Sequence, residues 1–219
     1  MRYGFFHGTE GDPTVLAAAL ELLADCDRIV CLGGLLGGPG AGDAAALAQL
    51  DALVCLSGDG ERRRARDAAL PAEVRARLHA LPMASVVDGI AVLGRAAPAP
   101  ASRREVQAAG GAPRLVAPLA VAAGSGATQL WRATGGLCRV EELGGPVRLA
   151  LGGERLRLDL APARSADGVV RVAVIDRETG TLKLRERALG TRPAPLVRPP
   201  RRTPVRRRRV PEGQQLLAV

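Results

Sequence analysis

An apolar segment running without a break into a glycine-rich loop, Asp27 to Gly40 (DRIVCLGGLLGGPG), constrains this chain more than any other. Arg28 to Leu32 is a short apolar run bounded by Asp27 and the Gly33-Gly34 pair, the pattern of a strand buried on both faces. The loop after the carboxyl end of such a strand is where an α/β protein places its chemistry. A carboxylate, a histidine or a phosphate cradle is expected there, and the loop supplies glycine, leucine and proline. It has neither the Gly-Lys-Ser/Thr ending of a phosphate loop nor the G-x-G-x-x-G spacing of a dinucleotide loop.

The flanking sequence extends the same type of structure. Arg2 to Phe6 reads as a first strand ending at His7-Gly8. Asp12 stands as N-cap before Pro13, and Val15, Leu16, Ala19, Leu20 and Leu23 make Pro13 to Ala24 an amphipathic helix. Gly42-Asp43 caps a helix over Ala44 to Leu50, and Ala52 to Leu56 is a third apolar strand. Strand, helix, strand, helix, strand is a parallel α/β start. Beyond Ser57-Gly58-Asp59-Gly60, a charged stretch from Glu61 to Leu70 and then Pro71 to Leu81 read as helices with arginines toward solvent. Met83 to Leu93 is a hairpin turning at Asp88-Gly89, which suits a type I′ turn. A Pro/Ala loop at Ala96 to Ala101, a short helix from Ser102 and an apolar stretch over Arg114 to Ala123 broken by Pro118 follow. From Gln129 the chain reads as short strands, closing in a hairpin of Val169 to Asp176 and Thr181 to Ala188 that belongs to an antiparallel second layer. The expected fold class is α/β: a layered β-sandwich flanked by helices over residues 1–189.

From Gly190 the apolar period vanishes, and residues 190–219 read as a disordered, basic Arg/Pro-rich tail. This tail holds eight arginines against Glu212 alone, so seven of the nine net positive charges lie there and the first 189 residues carry +2. Arg201, Arg202, Arg206, Arg207, Arg208 and Arg209, interleaved with proline, can follow phosphates or an acidic protein surface. With no aromatic residue beside them they are poorly equipped to stack on bases. An acidic protein or nucleic acid is therefore the expected partner of the tail, weighed against an unselective solubilising role.

Cys26, Cys31, Cys55 and Cys138 have no C-x-x-C spacing and read as reduced core thiols rather than a zinc site or disulfide framework. No apolar run approaches the roughly 18 residues of a membrane span, and MRYGFF is not a signal segment, so a cytoplasmic protein is expected. The preference for Arg, Ala and Gly is that of a GC-rich bacterial coding sequence.

Residues 1 to 60 resemble the opening of calcineurin-like metallophosphoesterases, in particular the small bacterial and archaeal phosphodiesterase branch. In that family a first strand ends in D-x-H-G-N, a second in G-D-x-x-G and a third in G-N-H-D. Here the matching places hold MRYGFFHGTEGD, DRIVCLGGLLGGPG and DALVCLSGDGE. LGRAAP at Leu93 to Pro98, GSGATQLW at Gly124 to Trp131 and LAPARS at Leu160 to Ser165 correspond to the later H-G-x-P, G-H-x-H and N-P-G-S motifs. VIDRETGTL looks like the family's closing hairpin, so the resemblance covers about residues 1 to 188.

The resemblance implies two divalent ions, such as manganese or iron, on Asp, His and Asn side chains, with one carboxylate bridging both. Carried over residue by residue, the ligand positions fall on Gly8, Glu10, Gly34 (the bridging position), Gly58, Asp59, Gly94, Ser125 and Ala127. Glycine and alanine carry no donor atom. No metal cofactor is therefore expected, and the chain reads as a phosphoesterase shell used as a binding, assembly or regulatory module. His7, Glu10, Asp12 and Asp59 are the polar residues expected in any residual pocket, although Asp12 and Asp43 also suit helix caps and His7 and Glu10 ordinary loop positions. Arg62, Arg63 and Arg64 could address an anion there or form a solvated helix face. A remodelled, one-metal phosphoesterase around Glu10 and Asp59 is the main alternative; a nucleotide pocket without hydrolysis is a weaker one. Family members often pair through surface elements, which leaves a homo-oligomer open.

Overall fold

The computed structural model describes residues 1–37, 42–94, 119–124, 127–134, 137–143, 146–149, 155–164 and 166–189. The expected helix from Ser102, Ser125 and the whole 190–219 tail lie outside the described residues, as does the side chain of Cys138.

The first strand, β1 (Arg2–Phe6), explains the layering. Its alternation sends Tyr3 and Phe5 to one face and Gly4 and Phe6 to the other, and all three aromatic side chains are buried. With only four aromatic residues in the chain, placing three of them here makes β1 the centre of the fold. Helix α1 (Pro13–Leu22) lies so close over Gly4 that a Cβ there would stand 2.7 Å from Leu23 Cδ2. Asp12 caps that helix as the sequence predicts, its Oδ1 accepting from the backbone N–H of Thr14 at 2.9 Å and Val15 at 3.3 Å.

Two six-stranded sheets face each other with helices on the outside. β1 pairs in parallel with β2 (Arg28–Cys31), which pairs in parallel with β3 (Val54–Cys55). On its other side β1 runs antiparallel to β11 (Val169–Asp176), followed by β12 (Thr181–Ala188) and β9 (Val147–Arg148). The second sheet has the order β4 (Ala84–Val87), β5 (Ile90–Leu93), β6 (Leu119–Ala123), β10 (Arg155–Leu160), β7 (Gln129–Thr134) and β8 (Leu137–Glu142). One core fills the space between the sheets around Tyr3, Phe5, Val30, Val92 and Leu158. The other lies under the helices around Phe6, Leu16, Leu20, Val172 and Val174.

The α/β sandwich is as expected, but the layers are not the two halves of the chain. The closing hairpin β11–β12 joins the first sheet, and β5, β6 and β10 run parallel within the second. The second layer is mixed rather than antiparallel. The Asp88-Gly89 turn has φ of 48° and 83°, the positive values a type I′ turn requires. Asp88 also ties the two sheets: its Oδ2 accepts from Tyr3 Oη at 3.1 Å and pairs with Arg28 Nε at 2.9 Å. No helix among the described residues is long and apolar enough to cross a membrane.

Helices α2 (Gly42–Gln49), α3 (Asp59–Arg64) and α4 (Ala72–His79) complete the layer. Asp43 does not cap α2 as expected. It lies in the first turn, buried, and its Oδ2 pairs with Arg64 at 2.8 Å. Arg64 is buried between Asp43 and Asp67, so the Arg62 to Arg64 run is not a uniformly solvated face.

At the far end of α1, the Arg185 guanidinium donates to Asp25 and to the Leu22 carbonyl, 2.6 Å away. That hydrogen bond outweighs burial and holds the Asp25 carboxyl down at about 2, against an ordinary 3.8. A depressed carboxyl contributes stability above its unfolded pKa and loses it as pH falls through the folded one. The pair is exposed, so Asp25→Asn should cost no more than about 1 kcal/mol at neutral pH. In urea melts at stepped pH, the difference between wild type and variant should close between 3.8 and about 2.

Candidate functional site

The carboxyl ends of β1, β2 and β3 lie along one edge of the first sheet, and Gly94 after β5 comes up against them. The loop after β1 is laid onto the loop after β2 by backbone hydrogen bonds. Gly8 N–H donates to the Gly33 carbonyl at 3.0 Å, Glu10 N–H to Gly34 at 2.8 Å and Gly11 N–H to Leu35 at 3.0 Å. Gly33 and Gly34 hold φ of 96° and 67°, a region that side chains disfavour. The approach is equally demanding. A Cβ on Gly34 would lie 3.0 Å from the Cα of Gly8, one on Gly58 2.7 Å from the amide nitrogen of Gly34, and one on Gly94 2.7 Å from the carbonyl oxygen of Ser57. These glycines pack backbone against backbone.

Glu61, in the first turn of α3, lies at the centre of this packing and is 1% exposed. Its carboxylate accepts three backbone N–H bonds: Gly34 at 3.0 Å, Gly58 at 2.8 Å and, through the other oxygen, Leu36 at 2.9 Å. A buried carboxylate without partners would be very costly, and three amide donors make this one tolerable. The loops after β2 and β3 are thereby tied to one side chain. The sequence reading missed Glu61 because it opens a run of charges. The discoverable signal was its spacing from Gly58, that of an N-cap and the third residue of a helix.

Beside this centre lies a cleft of about 380 Å³. Gly8, Gly34, Gly60 and Pro162 line it, and its charged residues are Glu10, Asp59, Arg63 and Arg164. Glu10 takes a left-handed φ of 51°, and its Oε1 lies 3.3 Å from where a Cβ of Gly34 would be and 3.9 Å from that of Gly8. Its carboxylate thus covers two of the positions at which the family resemblance implies aspartates. Asp59 pairs with Arg62 at 2.7 Å on the exposed face of α3.

Of the other expected residues, Gly58 and Gly94 are packed behind the cleft and Ala127 is exposed and not part of it. His7 is fully buried, its Nε2 lying 2.7 Å from the Leu160 carbonyl oxygen, and Asp12 is occupied in capping α1. The structure therefore brings Glu10 and Asp59 to one cleft and holds His7 and Asp12 away from it. Arg164, on the loop after β10, was not anticipated.

The donor set of the described residues does not fit a binuclear metal centre. Among the described residues no group of three or more His, Cys, Asp or Glu side chains is close enough to hold a metal ion. Burial pushes the Cys26 thiol up to about 11, and Cys31 is raised well above the ordinary thiol range by its hydrogen bond to Cys55 and by burial.

No protein-family model matches the chain, and no curated protein matches it. Among solved structures, a metallophosphoesterase from Sphaerobacter thermophilus superposes with a TM-score of 0.68 at 15% identity, over 87% of this chain and 90% of that one. The fold is that of a metallophosphoesterase. A novel archaeal phosphodiesterase (10% identity, TM-score 0.48, 86% and 100% of the two chains) and a putative diadenosine tetraphosphatase (12%, 0.49, 86% and 95%) superpose more loosely. At these identities the likeness concerns the fold alone.

Replacing Glu61 leaves three inward-pointing amides without an acceptor. Glu61→Ala should cost about 3 kcal/mol or more. Glu61→Gln, which keeps one acceptor oxygen, should cost less. Urea denaturation at unchanged m-value measures both, and equal midpoints for all three proteins would refute the role given to this carboxylate.

Proposed function

We infer that this chain is a non-catalytic member of the metallophosphoesterase-fold proteins, serving as a binding, assembly or regulatory module. One observation carries that reading. Where the family resemblance implies aspartate, asparagine and histidine ligands, Gly8, Gly34, Gly58 and Gly94 stand, and at Gly58 and Gly94 neighbouring backbone is so close that a side chain would overlap it. A two-metal mechanism needs a bridging carboxylate between ions a few ångströms apart. Gly34 offers no oxygen for that bridge, and a Cβ there would stand 3.0 Å from the Cα of Gly8 on a backbone whose φ of 67° side chains disfavour. A reduced, cytoplasmic setting agrees with the free, buried thiols of Cys26, Cys31 and Cys55.

The second reading is a phosphoesterase or phosphodiesterase with a remodelled site, favoured by Glu10 and Asp59 lining one cleft. Metal content after incubation with manganese, with hydrolysis of bis(4-nitrophenyl) phosphate followed on the same sample, separates the two. The non-catalytic reading expects less than about a tenth of an equivalent of metal and no turnover above a Glu10→Ala/Asp59→Ala control. One or two equivalents with turnover abolished in that control would establish the remodelled site instead.

The domain is proposed to end near residue 189, with 190–219 as a separate basic arm. Six arginines within Arg201 to Arg209 suit an acidic protein surface or nucleic acid, bound through charge rather than base reading. Deleting 190–219 should abolish retention on heparin or nucleic acid at low salt while leaving the urea midpoint unchanged. Retention with the same salt dependence after deletion would remove the arm from this role.

A further inference from the structure

We propose that the cleft beside Glu61 binds a phosphoryl oxyanion without a metal, clasped by Arg63 and Arg164. The proposal rests on the reading of the site as metal-free and names the ligand class that such a site takes.

Most arginines near this end of the fold are engaged: Arg62 with Asp59, and Arg64 with Asp43 and Asp67. Arg63 and Arg164 differ. Both are exposed, both line the cleft, and among the described residues neither is paired with a carboxylate. They arrive from separate elements, Arg63 from α3 and Arg164 from the loop after β10. Arg164 is held in place by its backbone. Its N–H donates to the Gly8 carbonyl at 3.3 Å, and the preceding Ala163 N–H donates to His7 at 2.7 Å. Two guanidinium forks brought to one opening are the arrangement that recognises tetrahedral oxyanions, each offering parallel N–H donors.

The acidic side chains of the cleft locate the seat rather than forbid it. Asp59 is already paired with Arg62 at 2.7 Å. Glu10 lies near Gly8 and Gly34, and like-charge repulsion sets the oxyanion toward Arg63 and Arg164 within the same cleft. Gly8, Gly34 and Gly60 add no side chains, and about 380 Å³ exceeds the needs of a bare phosphate. A phosphate monoester with a small organic group matches that space and charge. The same arginines, which no carboxylate among the described residues pairs, would gain partners from the ligand.

Because the 190–219 arm could also attract phosphate, the test must locate the binding. The full chain, labelled with nitrogen-15, is titrated with phenyl phosphate in EDTA while amide shifts are followed. The expected result is saturable movement of Gly8, Gly34 and Gly60 with Kd below about 1 mM. Arg63→Gln and Arg164→Gln should each weaken binding about tenfold, whereas Arg66→Gln, exposed on the same segment but outside the cleft, should not. Shifts confined to other residues, or titration of the double variant like wild type, would overturn the proposal. So would absence of binding in EDTA and in magnesium alike, and that outcome leaves the non-catalytic reading standing. Binding that appears only when magnesium replaces EDTA would sink both.

Discussion

Everything at the functional edge of this fold depends on the Glu61 carboxylate and the three amides it gathers. In a binuclear phosphoesterase the loops at the strand ends are joined through side chains that converge on metal ions. Here a single internal anion joins two of those loops, and it does so through backbone donors. The exchange has a physical logic. Amide N–H groups at the ends of β2 and β3 point inward and need acceptors wherever water is excluded. A carboxylate with two oxygens satisfies three of them, and its own burial is made tolerable by the same bonds.

The glycines follow from that arrangement. Once the loops after β1, β2 and β3 approach through their backbones, Gly58 has no space for a Cβ, one on Gly34 would stand 3.0 Å from the Cα of Gly8, and Gly8 and Gly34 hold positive φ. A side chain at Gly34 would press on the backbone of Gly8 and strain the loop whose amide Glu61 accepts. The glycine turns and the lack of side chains at these positions are thus two aspects of one packing solution. Glu10, itself in a left-handed conformation, occupies the space that the missing side chains leave open.

Much of the scaffold was legible because its signals are local. Asp12 before Pro13, the Asp88-Gly89 turn and the closing hairpin all express short-range backbone chemistry, and each appears where the residues indicate. What escaped was non-local. The pairing of β1 with β11 joins residues more than 160 positions apart, and no periodicity reports it. Asp43 and Arg64 likewise look like a cap and a solvent-facing charge until α2 and α3 are packed together. The absence of donors at Gly8, Gly34, Gly58 and Gly94 was legible from identity alone. Their close approach, and the Glu61 carboxylate among them, was not.

The same distinction bears on the cleft. Four charged residues line it, and a reading by residue type treats Glu10 and Asp59 as the chemically interesting pair because carboxylates bind metals. Pairing in the folded chain reverses that emphasis. Asp59 already has Arg62, whereas Arg63 and Arg164 face the opening with no carboxylate paired to them among the described residues. A guanidinium that no described carboxylate pairs, beside a cleft walled by glycine, is a more specific statement about a ligand than an acidic side chain that has found its counter-ion. In a fold shared with phosphoesterases, the arrangement proposed to hold a phosphoryl group here is a pair of guanidinium groups, and such cations bind and orient a phosphate without generating a hydroxide to cleave it.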